Sequence, residues 1–268
     1  MTKNLKIFCV TDKPIKKIEK TSLILASVGK NNLPNNYIKS SSGKNIHFKE
    51  QYYSELTFHY WYWKNMLNKE TSDWIGFCQK RRFWVKTQDT QDKIDNQNYF
   101  DYLLSSPEKS WNNYSSIICN PIKISGSKKI KIIKKGWKKL IKDPTILFNT
   151  KKETIKFHFD IYHGDGKLTA AINLLHKEDR RDFNNYVNSR DFFNPHIMFI
   201  TRPEVAKKWF KDLFGWLEKC ENLFGFNELK GYETRLYGYL AERYLSFWFK
   251  KYTKYKEHPW IFMDNYTY

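Results

Sequence analysis

Short apolar runs set between longer helical patterns constrain this chain most. Residues 5–11, 23–28, 73–78, 116–119 and 197–201 are brief and rich in β-branched or aromatic residues, and they read as buried strands. Between and after them the period changes. Leu56, Tyr60, Trp63 and Leu67 recur at helical spacing, which predicts a helix over 53–67. Pro203 suits a first helical turn, and Val205, Trp209, Leu213, Leu217, Cys220 and Phe224 form the buried stripe behind it. A further helix is expected over 232–251, after Gly231, and residues 259–263 read as a final strand or a packed tail. Strands alternating with helices specify an α/β fold. The expectation is one domain over residues 1–268, with a mostly parallel central sheet flanked by helices and no internal repeat.

Aromatic residues make up 18% of the 268, far above what disordered chains carry. The 47 basic residues outnumber the 28 acidic ones and leave a net charge of +19. Such a field favours polyanionic partners: nucleic acid, anionic lipid or a diphosphate-bearing substrate. Residues 123–156 are dense in lysine, and Ile132, Ile133, Trp137, Leu140 and Ile141 could line one face of a basic amphipathic helix. That segment reads either as a contact with an anionic membrane surface or as a solvated helix packed by one face. Cys9, Cys78, Cys119 and Cys220 include no Cys-x-x-Cys pair, so neither a zinc site nor a disulfide framework is expected. They read as buried free thiols. No apolar run approaches the roughly 18 residues of a spanning helix. The start Met-Thr-Lys-Asn-Leu-Lys lacks the apolar region of a secretion signal. The protein is therefore expected in the cytoplasm, and it could sit peripherally on the inner face of the cytoplasmic membrane.

In open α/β sheets ligands bind beyond the carboxyl ends of strands, so the residues there are the first candidates. After the first strand come Thr11, Asp12 and Lys13, which could hold a nucleoside or form a capped turn. Residues 74–85 read Trp-Ile-Gly-Phe-Cys-Gln-Lys-Arg-Arg-Phe-Trp-Val. Three consecutive cations, Lys80, Arg81 and Arg82, follow Gln79 at this strand end. Arginine forks match phosphate oxygens bidentately, and a departing diphosphate needs such neutralisation. The plainer reading is a basic surface turn partnered by carboxylates such as Glu55, which could orient Arg81 or Arg82 or touch a sugar. On the last helix Arg235, Tyr239 and Glu242 share a face, with Gly238 one turn before Glu242. Glu242 is the candidate general base, or else an ion-pair partner of Arg235 or Arg243. Asp160, His163 and Asp165 read as a loop with Asx turns before they read as a metal cluster. His196, in Asn-Pro-His ahead of a strand, could touch a donor phosphate.

The opening Lys-Ile-Phe-Cys-Val-Thr-Asp-Lys-Pro resembles the start of a bacterial family long catalogued as a domain of unknown function. That family occurs among capsular, exopolysaccharide and lipopolysaccharide glycosyltransferases. Tyr52-Tyr53-Ser54-Glu55-Leu56-Thr57 with Tyr60-Trp61-Tyr62-Trp63-Lys64-Asn65 resembles a second block of it, and residues 74–83, 195–204 and 232–245 resemble three more, all in order. The resemblance implies a GT-A-like fold and transfer of a hexosyl unit, galactose in pyranose or furanose form, to a growing glycan. The implied donor is a nucleotide-diphosphate sugar, a UDP-sugar first. Thr11, Asp12, Lys13, Glu55, Gln79, Lys80, Arg81, Arg82, His196 and Arg243 are then the expected donor contacts. Arg235 and Tyr239 are the expected acceptor contacts, and Glu242 the base. The chain departs from the family pattern in two places: Gln79-Lys80 stands for His-Tyr, and Ile197 for Asn. No strand is followed by Asp-x-Asp, so no metal cofactor is expected and the arginines do the neutralising. Two other readings stay open, a catalytically inactive glycan-binding or scaffold relative and a basic nucleic-acid-binding protein, although no nucleic-acid motif is found.

Overall fold

The computed structural model describes residues 4–86, 93–124 and 152–263, together with Ile141 and Thr145. The stripe expected at Ile132, Ile133, Trp137 and Leu140 lies outside them. In chain order the strands are β1 (Leu5–Thr11), β2 (Ile24–Ser27), β3 (Ile38–Lys39), β4 (Trp74–Gln79), β5 (Arg82–Trp84), β6 (Ser116–Cys119), β7 (Ile122–Lys123), β8 (Phe192–Phe193), β9 (Phe199–Thr201), β10 (Tyr255–His258) and β11 (Trp260–Phe262). The helices are α1 (Glu50–Tyr53), α2 (Leu56–Asn65), α3 (Ile155–His163), α4 (Lys167–Ile172), α5 (Lys177–Ser189), α6 (Pro203–Phe224) and α7 (Leu236–Tyr252). They fall into two compact units: unit 1 holds residues 1–120, 196–214 and 248–268, and unit 2 holds 121–195 and 215–247.

Unit 1 is built on one sheet in the order β10-β6-β9-β4-β1-β2-β3. β3, β2, β1 and β4 run parallel, and β10 runs parallel to β6, while β9 lies antiparallel between β4 and β6. This is the mostly parallel, helix-flanked sheet that the alternating pattern predicts. Its central strands are apolar throughout because both faces are covered. On one face Cys9 lies opposite Cys78, and Ile7 opposite Gly76. There they join Trp74, Ile117, Cys119, Met198 and Ile200 in one buried cluster. A side chain at Gly76 would not fit, since a Cβ there would come within 2.7 Å of Ile200 and 3.3 Å of Ile7. On the other face Phe8, Phe77 and Phe199 meet rings from α2 and α6: Phe77 is 4.3 Å from His59 and 5.9 Å from Phe210, and Phe8 is 4.8 Å from Tyr62. All four cysteines are buried thiols outside any disulfide.

β4 does not end in an open loop. It turns back into β5, with Gln79 opposite Arg82, and β11 adds antiparallel to β5. The helix expected over 53–67 is broken at Ser54, which takes a left-handed backbone (φ 50°), so α1 ends before α2 begins. The helix expected over 232–251 opens with a 3-10 turn, Gly231–Arg235, which places Arg235 just ahead of α7.

Unit 2 packs α3, α4, α5, the second half of α6 and most of α7. Phe183, Trp216, Tyr244 and Phe247 form its aromatic centre, with Phe183 4.8 Å from Phe247 and Trp216 4.7 Å from Tyr244. The Trp216 indole donates to the Ala171 carbonyl at 2.8 Å, and β7 pairs with β8. Among the described residues no helix is long and apolar enough to cross a membrane.

Candidate functional site

The carboxyl ends of β1 and β4 lie side by side because the two strands are parallel and in register to Val10–Gln79. Thr11 is buried, and its hydroxyl closes a local turn: it donates to the Lys13 carbonyl at 2.6 Å and accepts the Lys13 N–H at 3.1 Å. Asp12 and Lys80 form an ion pair between the two strand ends, with both side chains about one-third exposed. Lys13 is exposed.

Gln79 organises the rest. Its amide nitrogen donates to the Glu55 carboxylate and to the His196 carbonyl, and its amide oxygen accepts from Arg82 at 3.3 Å. A side-chain amide has two donor hydrogens and an acceptor oxygen, so one residue can serve all three partners. Gln79 thus links Glu55 to Arg82. Among the described residues three non-glycine positions have left-handed backbones: Ser54 (φ 50°), His196 (φ 74°) and Ile197 (φ 52°). All three surround this hub, since Glu55 follows Ser54. Such conformations cost of order 1–3 kcal/mol each and gather where a site must be held in one shape. Ile197 is the sharpest case, because a β-branched residue is an outlier there. Asn, which the resemblance noted above implies for this position, visits the left-handed region far more readily. Burial of the Ile197 side chain, worth about 1.5–3 kcal/mol, offsets the strain.

Arg81 and Arg82 are partly buried, and their guanidinium carbons lie 5.4 and 5.2 Å from the centre of the Phe262 ring. The His196 imidazole packs edge-on against Trp260 at 4.6 Å, so the backbone carbonyl, not the ring, engages Gln79. Trp260 and Phe262 were not legible as site residues. The tail carries no motif, and only the pairing of β11 with β5 brings it to the arginines.

The remaining candidates lie in unit 2. Glu242 is paired with Arg243, which is 2% exposed and stacks over Phe193 at 3.9 Å. The second Arg243 terminal nitrogen lies 3.5 Å from His158 Nδ1. Burial, with Arg243 next in effect, drives the His158 pKa down to about 3, so this imidazole is neutral near pH 7. Tyr239 stacks on His163 with centroids 3.7 Å apart, and Arg235 lies 5.9 Å from the Tyr239 ring. Asp160 is buried, accepts from Lys156 at 2.6 Å and from the Gly166 N–H at 3.2 Å, and so closes the turn after α3. Gly238 is buried, yet a Cβ on it would meet nothing within 4 Å. Among the described residues no group of three or more His, Cys, Asp or Glu side chains is placed to hold a metal ion.

A Rossmann-like sheet with cations gathered at the carboxyl ends of β1 and β4 defines an open α/β protein, a class in which ligand sites lie beyond the carboxyl ends of the strands. More particularly, residues 6–254 match the model of the family described as "Domain of unknown function (DUF4422)", and the chain belongs to that family. Among solved structures it is similar to the one titled "WbbM bifunctional glycosytransferase apo structure", with a TM-score of 0.72 and 20% identity over 98% of this chain and 46% of that one. The chain therefore spans about half the length of that glycosyltransferase, and at this identity the likeness is one of fold. No curated protein sequence matches significantly.

Proposed function

We propose that the protein is a glycosyltransferase that moves a hexosyl unit, galactose in pyranose or furanose form, from a UDP-sugar to a growing surface glycan. The observation that carries this reading is the pair Arg81–Arg82 on the β4–β5 turn, backed by the Gln79–Glu55–His196 hub. The fold shared with a bifunctional glycosyltransferase supports it. As the sugar–phosphate bond breaks, negative charge grows on the leaving diphosphate, and two arginine forks at a strand end neutralise it with charge-assisted hydrogen bonds. Lys80 and Asp12 set the edge of that site, and Thr11 and Lys13 its floor beside the nucleoside. The arginines do this without a divalent cation. Activity abolished by a chelator and restored by Mn²⁺ would overturn that part.

Glu242 is the proposed general base for the acceptor hydroxyl, with Arg235 and Tyr239 as acceptor contacts and Arg243 as the group that fixes the Glu242 carboxylate. An E242Q enzyme with full transfer activity would remove the base assignment. The lysine-dense segment 123–156 is proposed to hold the enzyme at an anionic membrane surface. The test of the whole reading is a thermal-shift screen against UDP, GDP, UDP-galactose and UDP-glucose, with and without Mn²⁺. A ligand that binds only the folded state raises its melting temperature in proportion to affinity. The expected result is stabilisation by UDP and UDP-galactose that Mn²⁺ does not alter, and a flat response to all four nucleotides would reject the reading.

A further inference from the structure

We infer that Phe262 is a positioning residue of the donor site: its ring holds the Arg81 and Arg82 guanidinium groups where they meet a nucleotide diphosphate. This rests on the donor-site reading above and adds the C-terminal strand to it. Phe262 lies directly opposite Arg82 in the β5–β11 pair. Side chains at paired positions stand on the same face of a sheet, so the register itself makes ring and guanidinium neighbours. Arg81 reaches the same ring from the turn, and the Met263 N–H donates to the Arg81 carbonyl at 3.0 Å, which ties the turn to the tail.

Two adjacent guanidinium groups repel each other, and each long side chain loses rotamer freedom when it is fixed on a ligand. The negative face of an aromatic ring attracts both cations and restricts both side chains before the ligand arrives. Phe262 is 43% exposed although it is a large apolar side chain in a strand. Core packing therefore explains little of why a phenylalanine stands there, whereas a surface for the two arginines does.

The inference is tested with F262L and F262Y in the full chain, read in two ways. Isothermal titration with UDP should show F262L weakened roughly two- to fivefold, the size of an exposed cation–π contact, with F262Y indistinguishable from the parent. In an R81M/R82M background F262L should change UDP affinity no further, because residues that act through one another are not additive. The second readout needs no nucleotide: in ¹⁵N spectra the Arg81 and Arg82 Nε–H signals should lose their ring-induced shift and order in F262L and keep them in F262Y. Unchanged arginine signals in F262L would overturn the inference, as would an undiminished F262L effect on the R81M/R82M background. If the signals change but R81M/R82M leaves UDP binding intact, Phe262 positions the arginines as stated and the donor-site reading is the part that fails. Melting curves on each variant separate these outcomes from loss of fold.

Discussion

Arg81 and Arg82 in unit 1 and Arg243 in unit 2 are held in opposite ways. The first two sit partly exposed at the β4–β5 hairpin and reach the ring of Phe262, and Arg82 also donates to a neutral amide, Gln79, that itself meets a carboxylate. Arg243 is almost wholly buried, carries its own counter-ion in Glu242, and lies against Phe193. A guanidinium with solvent on one side can be reached by an incoming anion. One that is buried and paired has its charge matched inside the fold, and removing a partner from such a pair costs about 3–5 kcal/mol. Under the proposed reading Arg81 and Arg82 meet the donor directly, and Arg243 fixes the Glu242 carboxylate.

The largest expected effects test that contrast directly. R81M/R82M should lower UDP affinity at least a hundredfold, about 3 kcal/mol, since each charge-assisted hydrogen bond is worth about 1.5–3 kcal/mol. Its melting temperature should stay within about 1 °C of the parent, because partly exposed surface cations contribute little to stability. R243M should do the reverse for stability and lose about 3 kcal/mol in urea denaturation, or roughly 6–12 °C in melting temperature. The comparison breaks if R81M/R82M unfolds the protein, or if R243M melts like the parent.

The reason these two regions could not be told apart from sequence is physical. The run Gln79-Lys80-Arg81-Arg82 announced a charged strand end, because an apolar run with a polar end looks the same in one dimension as in three; that it lies beside Thr11–Lys13 comes only from the parallel pairing of β1 and β4. The partners were not visible. Gln79 meets His196 across 117 positions, and Phe262 reaches Arg82 only through a strand pairing that no local pattern encodes. The short strands β3, β7 and β10 were also missed: Ile38-Lys39 and Tyr255-Lys256-Glu257-His258 are too brief or too polar to carry a period of two. The longer strands and the helices α2, α6 and α7 were legible because burial on one or both faces writes a repeat into the sequence, whereas α3, α4 and α5 were not expected, and Asp160 and His163, read as part of a loop, lie in α3. Ser54 broke an expected helix because a single left-handed residue leaves the apolar spacing on either side intact.

Acid stability gives a smaller test, with one histidine in each unit. His59, packed among Phe77, Phe199 and Phe210, has its pKa lowered to about 3 by burial, and His158 has a value of about 3 as well. Unfolded histidine titrates near 6.5. Between pH 6.5 and about 3 the unfolded chain therefore binds protons that the folded chain does not, and stability falls as pH falls. Each site should remove up to about 1.4 kcal/mol per pH unit in that window, near 2 kcal/mol by pH 5. Urea titrations at pH 7 and pH 5 check this: H59F and H158F should each remove up to about 2 kcal/mol of the pH-dependent loss, and His258, whose pKa burial also lowers, contributes to what remains. Equal slopes in parent and both variants would show that the two units do not share this burden.

Two glycines offer the smallest and cleanest comparison. In unit 1 the Cβ of G76A would lie 2.7 Å from Ile200, in the centre of a close-packed sheet, and overpacking there should cost about 1–3 kcal/mol. In unit 2 the Cβ of G238A would meet nothing within 4 Å in the first turn of α7, and exchanging glycine for alanine in a helix gains about 0.5–1 kcal/mol. Melting curves should therefore move in opposite directions. The activity of G238A then sharpens the reading of unit 2. A variant that is more stable and transfers sugar as well as the parent would mean that the glycine has no functional reason to stand there. A variant that is more stable but has a raised KM for the acceptor and an unchanged KM for the donor would show that the space beside Gly238 is filled during the reaction, because packing within the folded chain gives no other reason to leave it open.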